Sequence, residues 1–144
     1  MLKKGSTILS IWSGINFLLA AMILASLVIF NANSPLLVMV FEKSEIASLP
    51  ARVITSLNAL TILYNSCSVV LSVLVWLLIR KNLIAGQKSS FWMLVFVIGF
   101  LEVMAFFAST YIGHGRWQVN VVQSVLYLTG ISLSGFSIFK GDKK

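Results

Sequence analysis

The sequence predicts an all-α integral membrane protein in which four transmembrane helices form an antiparallel bundle. Three observations predict this fold class: the composition, the spacing of the apolar runs and the distribution of basic residues. The 144 residues are 58% hydrophobic and only 10% charged, and the mean hydropathy is +0.96. Soluble domains contain roughly 25% charged residues. A chain this apolar therefore suits lipid rather than water as its solvent.

Four apolar runs predict a single membrane domain over residues 1–144. Each run is long enough to cross a bilayer, for which about 20 residues are needed. The predicted spans are residues 7–30, 52–79, 91–112 and 118–139. The first run follows Lys3 and Lys4 as in a signal peptide, but it is longer than the apolar region of a signal peptide. We therefore expect it to be a retained helix.

The longest connection between spans is the outer loop, residues 31–51. Ser34 and Pro35 are typical of a helix start, because serine caps the first turn and proline fits its first position. The apolar piece that follows is too short to span a membrane, so we expect one short helix that lies in the interface or folds over the mouth of the bundle. Glu42 and Glu45 come next and are expected in water.

Basic residues predict that both ends of the chain are cytoplasmic. Four spans place the two termini on one side, and an excess of lysine and arginine in short loops marks the cytoplasm. The side opposite the termini has only three basic residues, Lys43, Arg52 and Arg116. We also expect Trp12 to lie in the aromatic belt of the cytoplasmic side. The basic residues of the cytoplasmic side are Lys3, Lys4, Arg80, Lys81, Lys88, Lys140, Lys143 and Lys144.

Two spans carry a stripe of polar and small residues with the same spacing. The stripe must face protein or water, because lipid cannot satisfy amide and hydroxyl groups. Gly130 and Ser134 also form a pair of small residues that permits close approach of another helix. The members are Asn58, Thr61, Asn65, Ser68 and Ser72 in the second span and Asn120, Gln123, Tyr127, Gly130 and Ser134 in the fourth.

The third span carries one charged side chain, Glu102, near its centre. A carboxyl group at this depth is costly and marks a functional-site hypothesis. A rise of about 1.5 Å per residue places Asn65, Tyr127 and Asn16 at a similar depth in their own spans. We therefore expect these three side chains to hydrogen-bond with Glu102 and to form a ligand-binding layer. The alternative is that this polar layer only fixes the register of the helices.

The remaining polar residues give weaker signals. His114 and Arg116 belong to a segment bracketed by glycines, for which we predict a turn, and we expect them either to contact lipid headgroups or to close the outer mouth of a cavity. One histidine and one cysteine provide no ligand set for a metal, and no cofactor is predicted. Cys67 is expected to be a small buried residue.

The absence of a recognisable catalytic constellation favours a protein that is not an enzyme.

Three function classes remain open from the sequence. The first is a ligand-binding, ion-binding or transport-type module centred on Glu102, acting alone or as a homo-oligomer. The second is a non-catalytic accessory subunit of a larger membrane complex. The third is a membrane enzyme that acts on a lipid-like substrate with Glu102 as acid or base.

The expected location is the cell membrane and the expected partners include its lipids. The net charge of +7 is a topology signal and predicts no nucleic-acid partner.

Overall fold

The computed structural model describes residues 1–30, 32–112 and 117–140. Over these residues all regular secondary structure is helical and there is no strand. Helix α4 continues into a π-helical turn at Ile79–Leu83. The helices are α1 (Leu2–Val28), α2 (Pro35–Val40), α3 (Lys43–Ile46), α4 (Ala51–Leu78), α5 (Lys88–Ile112) and α6 (Trp117–Lys140).

Four of the described helices are long and apolar enough to cross a membrane, which confirms the predicted number of spans. The largest differences from the predicted bounds lie at two helix ends. The first helix begins at Leu2, because Lys3 and Lys4 are good helix formers and continue the helix. The second membrane-length segment extends to Leu83 through the π turn. The antiparallel order and the cytoplasmic location of the termini stay predictions.

The outer loop contains two short helices where one was expected. Ser34 caps α2 as predicted, since its side chain accepts a hydrogen bond from the Leu37 amide, and Pro35 occupies the first position. The unexpected helix α3 is stabilised by a capping box between Glu42 and Glu45, whose side chains are exposed. The Ser34 amide donates to Asn58 Oδ1 at 3.2 Å, which ties the loop to α4.

One apolar core joins parts of all four long helices. We call the N-terminal halves of α1 and α5, the part of α4 from Val75 onward, the part of α6 from Tyr127 onward and the π turn the packed end. The rest of these four helices forms the open end. The core residues are Leu9, Trp12, Val75, Ile79, Leu83, Phe91, Leu94, Ile98, Tyr127 and Ile138.

Helices α1 and α6 approach most closely at small residues of the packed end. A Cβ atom added at Gly5 would collide with the Ser134 side chain and would lie 2.7 Å from the Gly130 carbonyl oxygen. Gly130 in turn packs against Leu9. The close approach predicted from the Gly130 and Ser134 pair is confirmed.

Helices α4 and α5 are joined differently, through a tight turn after the π turn. Gly86 adopts a φ of +77°, a left-handed conformation that glycine reaches without steric cost. Beyond this turn a groove of about 350 Å³ separates the two helices, and Leu78 of α4 and Val97 of α5 are among its walls. Because the groove separates α4 from α5, the hydrogen-bond partners of the Glu102 carboxyl group come from α1 and α6.

Candidate binding site at Glu102

Glu102 lies where the packed end meets the open end. Glu102 is 6% exposed. Among the α5 residues whose side chains the structure describes, it is the last buried one along the helix. From Val103 to Thr110 every described side chain is exposed or partly exposed. Glutamate is a good helix former, so the helix continues through this position despite its charge.

Two side chains from two other helices hold the carboxyl group. The Trp12 indole Nε1 donates to Glu102 Oε1 at 2.8 Å. The Ser124 hydroxyl donates to Glu102 Oε2 at 2.6 Å. Each carboxyl oxygen thus has one hydrogen-bond donor, and the three residues connect α1, α5 and α6. Among the described residues, no lysine, arginine or histidine is bonded to Glu102.

The two partners differ in what they can do. An indole nitrogen can only donate a hydrogen bond, whereas a hydroxyl group can donate or accept. Oε1 must therefore accept from Trp12 at all times. Oε2 can accept from Ser124 or, when protonated, can donate to it. The two carboxyl oxygens have different chemical roles for this reason.

The amides of Asn65 and Asn16 do not make the predicted bonds to Glu102. Asn65 is buried, and its Nδ2 donates to the Thr61 carbonyl at 2.8 Å. Asn16 Nδ2 donates to the Trp12 carbonyl at 2.9 Å. Both acceptors lie four residues earlier on the same helix, where a backbone carbonyl is always within reach. The expected hydrogen-bond layer is therefore wrong for these two residues, while a role for them in ligand binding stays a prediction.

Tyr127 is buried next to the site but bonds elsewhere. Its hydroxyl donates to the Val95 carbonyl at 2.9 Å, nearly two turns of α5 before Glu102. Gly99 makes room for this contact, because a Cβ atom there would lie 2.9 Å from the tyrosine oxygen. The expected bond to Glu102 is not made, and Tyr127 instead fastens α6 to α5 in the packed end.

Sequence reasoning missed both partners of the carboxyl group. Trp12 was expected in the aromatic belt, and this is wrong, because the residue is 4% exposed in the core. Its position four residues before Asn16 puts it on the same helix face, and that spacing was a usable signal. Ser124 gave no comparable signal, since serine is common wherever membrane helices pack together.

The other predicted positions add little to the site. His114 and Arg116 lie outside the described residues. Cys67 is exposed rather than buried, because its position on α4 points away from the polar stripe of Asn65 and Ser72. Within the described ranges, no group of three or more histidine, cysteine, aspartate or glutamate side chains could hold a metal ion.

Comparisons with protein-family models, with curated proteins and with solved structures found no match to this chain. The chemistry of the site therefore carries the functional argument. The four long apolar helices indicate a multi-pass membrane protein. Among the described residues of these four helices, Glu102 carries the one acidic side chain.

Proposed function

We propose that the protein is a small multi-pass protein of the cell membrane in which Glu102 takes up and releases a proton, as part of a transport-type module. The single observation that carries the proposal is the pairing of Glu102 with Trp12 on one oxygen and Ser124 on the other. No cation among the described residues neutralises this buried acid. A proton is the simplest species that can do so.

The two hydrogen bonds suit both protonation states of the carboxyl group. When it is ionised, Oε1 accepts from Trp12 and Oε2 accepts from Ser124. When it is protonated on Oε2, that oxygen donates to Ser124, whose own hydrogen turns to a backbone carbonyl of its helix, as helical serines commonly do. Only a hydroxyl hydrogen rotates between the two states. Neither state leaves a buried carboxyl oxygen without a partner, so proton exchange needs no rearrangement of the helices.

A purely structural role would not require an acid at this position. A glutamine could accept from Trp12 through its oxygen and donate to Ser124 through its amide, with the same shape. Interhelical hydrogen bonds in membranes average only about 0.6 kcal/mol, and an amide supplies them without the cost of an ionisable group. The property that glutamate adds to glutamine is titration. Four helices enclose little space, so a pathway would be completed by further copies of the chain.

Infrared spectroscopy of the protein in lipid tests proton binding. A protonated carboxyl has a C=O stretch that disappears on ionisation, so the difference spectrum between acidic and alkaline pH should contain a component from Glu102 in the wild type. Glu102→Gln should lose this component and keep the fold. The matched control, Glu45→Gln, should retain it, because Glu45 is exposed on α3. The proposal is wrong if Glu102→Gln has the same pH-difference spectrum as the wild type.

Vesicles with an imposed pH gradient test whether proton binding serves transport. Wild-type protein should dissipate the gradient faster than protein with Glu102→Gln, while Glu45→Gln should match the wild type. If the carboxyl band of Glu102 responds to pH but no proton flux is measured, the role of Glu102 is restricted to ligand binding. The same result for a protein that purifies as a monomer would favour the accessory-subunit alternative.

A further inference from the structure

A second polar feature lies at the packed end, away from Glu102. It is a cavity of about 310 Å³ between the first turns of α1 and the chain around the π turn. A cavity of this size has room for several water molecules or a small polar group. Its lining residues are Lys3, Ser6, Thr7, Ser10, Arg80 and Ile84.

The charge of this cavity is entirely positive. Lys3 and Arg80 are its ionisable lining residues, and neither makes an ion pair with any acidic side chain that the structure describes. The Arg80 guanidinium lies 5.5 Å from the centre of the Trp76 ring, a stacking contact that leaves its N–H groups able to donate. Helix α1 begins at Leu2, so the unpaired amides and positive dipole end of its first turn lie at the same end.

One hydroxyl of the cavity has no partner. Ser6 is 2% exposed, and its Oγ has no hydrogen-bond partner in the part of the chain that the structure describes. Thr7 and Ser10 differ, because their hydroxyls donate to the carbonyls of Lys3 and Ser6. An unsatisfied buried hydroxyl costs free energy, so Ser6 is a donor without an acceptor in a cavity lined by two cations. An acceptor bound in this cavity, next to Lys3 and Arg80, could complete the hydrogen bonding of this hydroxyl.

We propose that this cavity binds a phosphate group carried by the headgroup of an acidic phospholipid. Arginine binds phosphate oxygens through two parallel N–H groups, lysine adds a point charge, and a serine hydroxyl donates to a third oxygen. The cavity lies at the ends of membrane-length helices, where headgroups are found, and Ile84 gives it an apolar edge. The site is distinct from that of Glu102, because neither hydrogen-bond partner of the carboxyl group, Trp12 or Ser124, lines this cavity.

Native mass spectrometry of the detergent-solubilised protein tests the proposal. Added phosphatidylglycerol should bind in preference to phosphatidylcholine. The double variant Lys3→Gln with Arg80→Gln should weaken this binding by about fivefold for each cation removed, since each basic residue contributes on the order of 1 kcal/mol to headgroup attraction. Lys43→Gln, which removes an exposed cation of the outer loop, is the matched control and should bind as the wild type does.

Ser6→Ala separates binding from folding. Without lipid this variant should be as stable as the wild type or slightly more stable, because it removes an unsatisfied hydroxyl. The gain in melting temperature on addition of phosphatidylglycerol should nevertheless shrink. The proposal is overturned if Lys43→Gln weakens lipid binding as much as the double variant, or if Ser6→Ala leaves the lipid-dependent gain unchanged.

A parallel titration with inorganic phosphate, in lipid-free detergent, identifies the source of the phosphate group. Stabilisation by phosphatidylglycerol alone supports a lipid headgroup. Stabilisation by inorganic phosphate that is lost in the double variant supports the same phosphate site with a soluble ligand. Absence of both effects overturns the site. Glu102→Gln should behave as the wild type in all of these assays, so failure here does not affect the proton-binding proposal.

Discussion

The packed end and the open end of the bundle are made of similarly apolar sequence, yet they pack differently. On α5, Phe91, Leu94 and Ile98 are buried against the other helices. Beyond Glu102 on the same helix, side chains such as Val103 and Phe107 are exposed. The two parts belong to one segment, Lys88–Thr110, that is long and apolar enough to cross a membrane. Hydropathy therefore reports the solvent of a helix and not its contacts.

An apolar part of a helix can stay unpacked in a membrane because its solvent is lipid. Lipid is as apolar as leucine, so an exposed apolar side chain in a membrane costs little, and helix association depends on close packing and hydrogen bonds. The packed end has both, through the small residues Gly5 and Gly130 and the Tyr127 hydroxyl. The open end has fewer such contacts on α5. Glu102 occupies the boundary, where it is shielded from lipid while its helix beyond is not.

The largest effect is expected at the closest contact of the packed end. Gly5→Ala places a Cβ atom against the Ser134 side chain and the Gly130 backbone, which cannot move aside cheaply. We expect a loss of about 3 kcal/mol in the free energy of unfolding, at the upper end for overpacked cores. Unfolding in mixed detergent micelles measures this. Gly14→Ala is the control: no atom lies within 4 Å of its added Cβ. A similar loss in both variants would contradict the comparison.

An intermediate effect is expected at the boundary. Trp12→Phe removes the donor to Glu102 Oε1 and leaves a buried acceptor unpaired, so the free energy of unfolding should fall by about 1–2 kcal/mol. Trp92→Phe, at an exposed tryptophan of the same chain, should change it by less than about 0.5 kcal/mol. In a Glu102→Leu background the cost of Trp12→Phe should shrink, since no acceptor is left. An undiminished cost there would mean that the indole acts by packing alone.

The smallest effect is expected at the open end. Asn120 Nδ2 donates to the Ala105 carbonyl at 3.2 Å and to Ser109 Oγ at 2.6 Å, joining α5 and α6 beyond Glu102. Asn120→Ala should cost about 0.6 kcal/mol. Hydrogen exchange should become faster in residues 103–110 and stay unchanged in residues 91–98. Gln118→Ala, at an exposed position of α6, should alter neither. Faster exchange in both segments would show that the two ends unfold together.

The sequence was sufficient to predict the four membrane-length helices, because length and hydropathy decide them. It also predicted the cap at Ser34 and the close approach at Gly130, since each depends on one or two neighbouring residues. The inward stripe of α4 holds as well: Thr61, Asn65 and Ser72 are buried. These features follow from helical geometry alone.

The partners of Glu102 could not be predicted in the same way. The depth of each residue along its span predicts that Asn65 and Tyr127 lie beside the carboxyl group. Depth, however, gives neither the rotation of a helix about its axis nor the distance that a side chain can reach. Asparagine has a short side chain and finds a carbonyl of its own helix first. Trp12 has a long, rigid side chain whose donor reaches another helix. Side-chain length and helix rotation, rather than polarity, selected the partner.

The bond between Trp12 and Glu102 also has a consequence for the order of biosynthesis. The two residues are 90 positions apart in sequence, so the ribosome completes α1 and α4 before it makes the acidic helix. Ser124 follows Glu102 by 22 positions, so its helix is the last of the four to be made. Of the two donors to the acid, the indole is therefore synthesised first and the hydroxyl second. The full pair of hydrogen bonds can form only after α6 has been made.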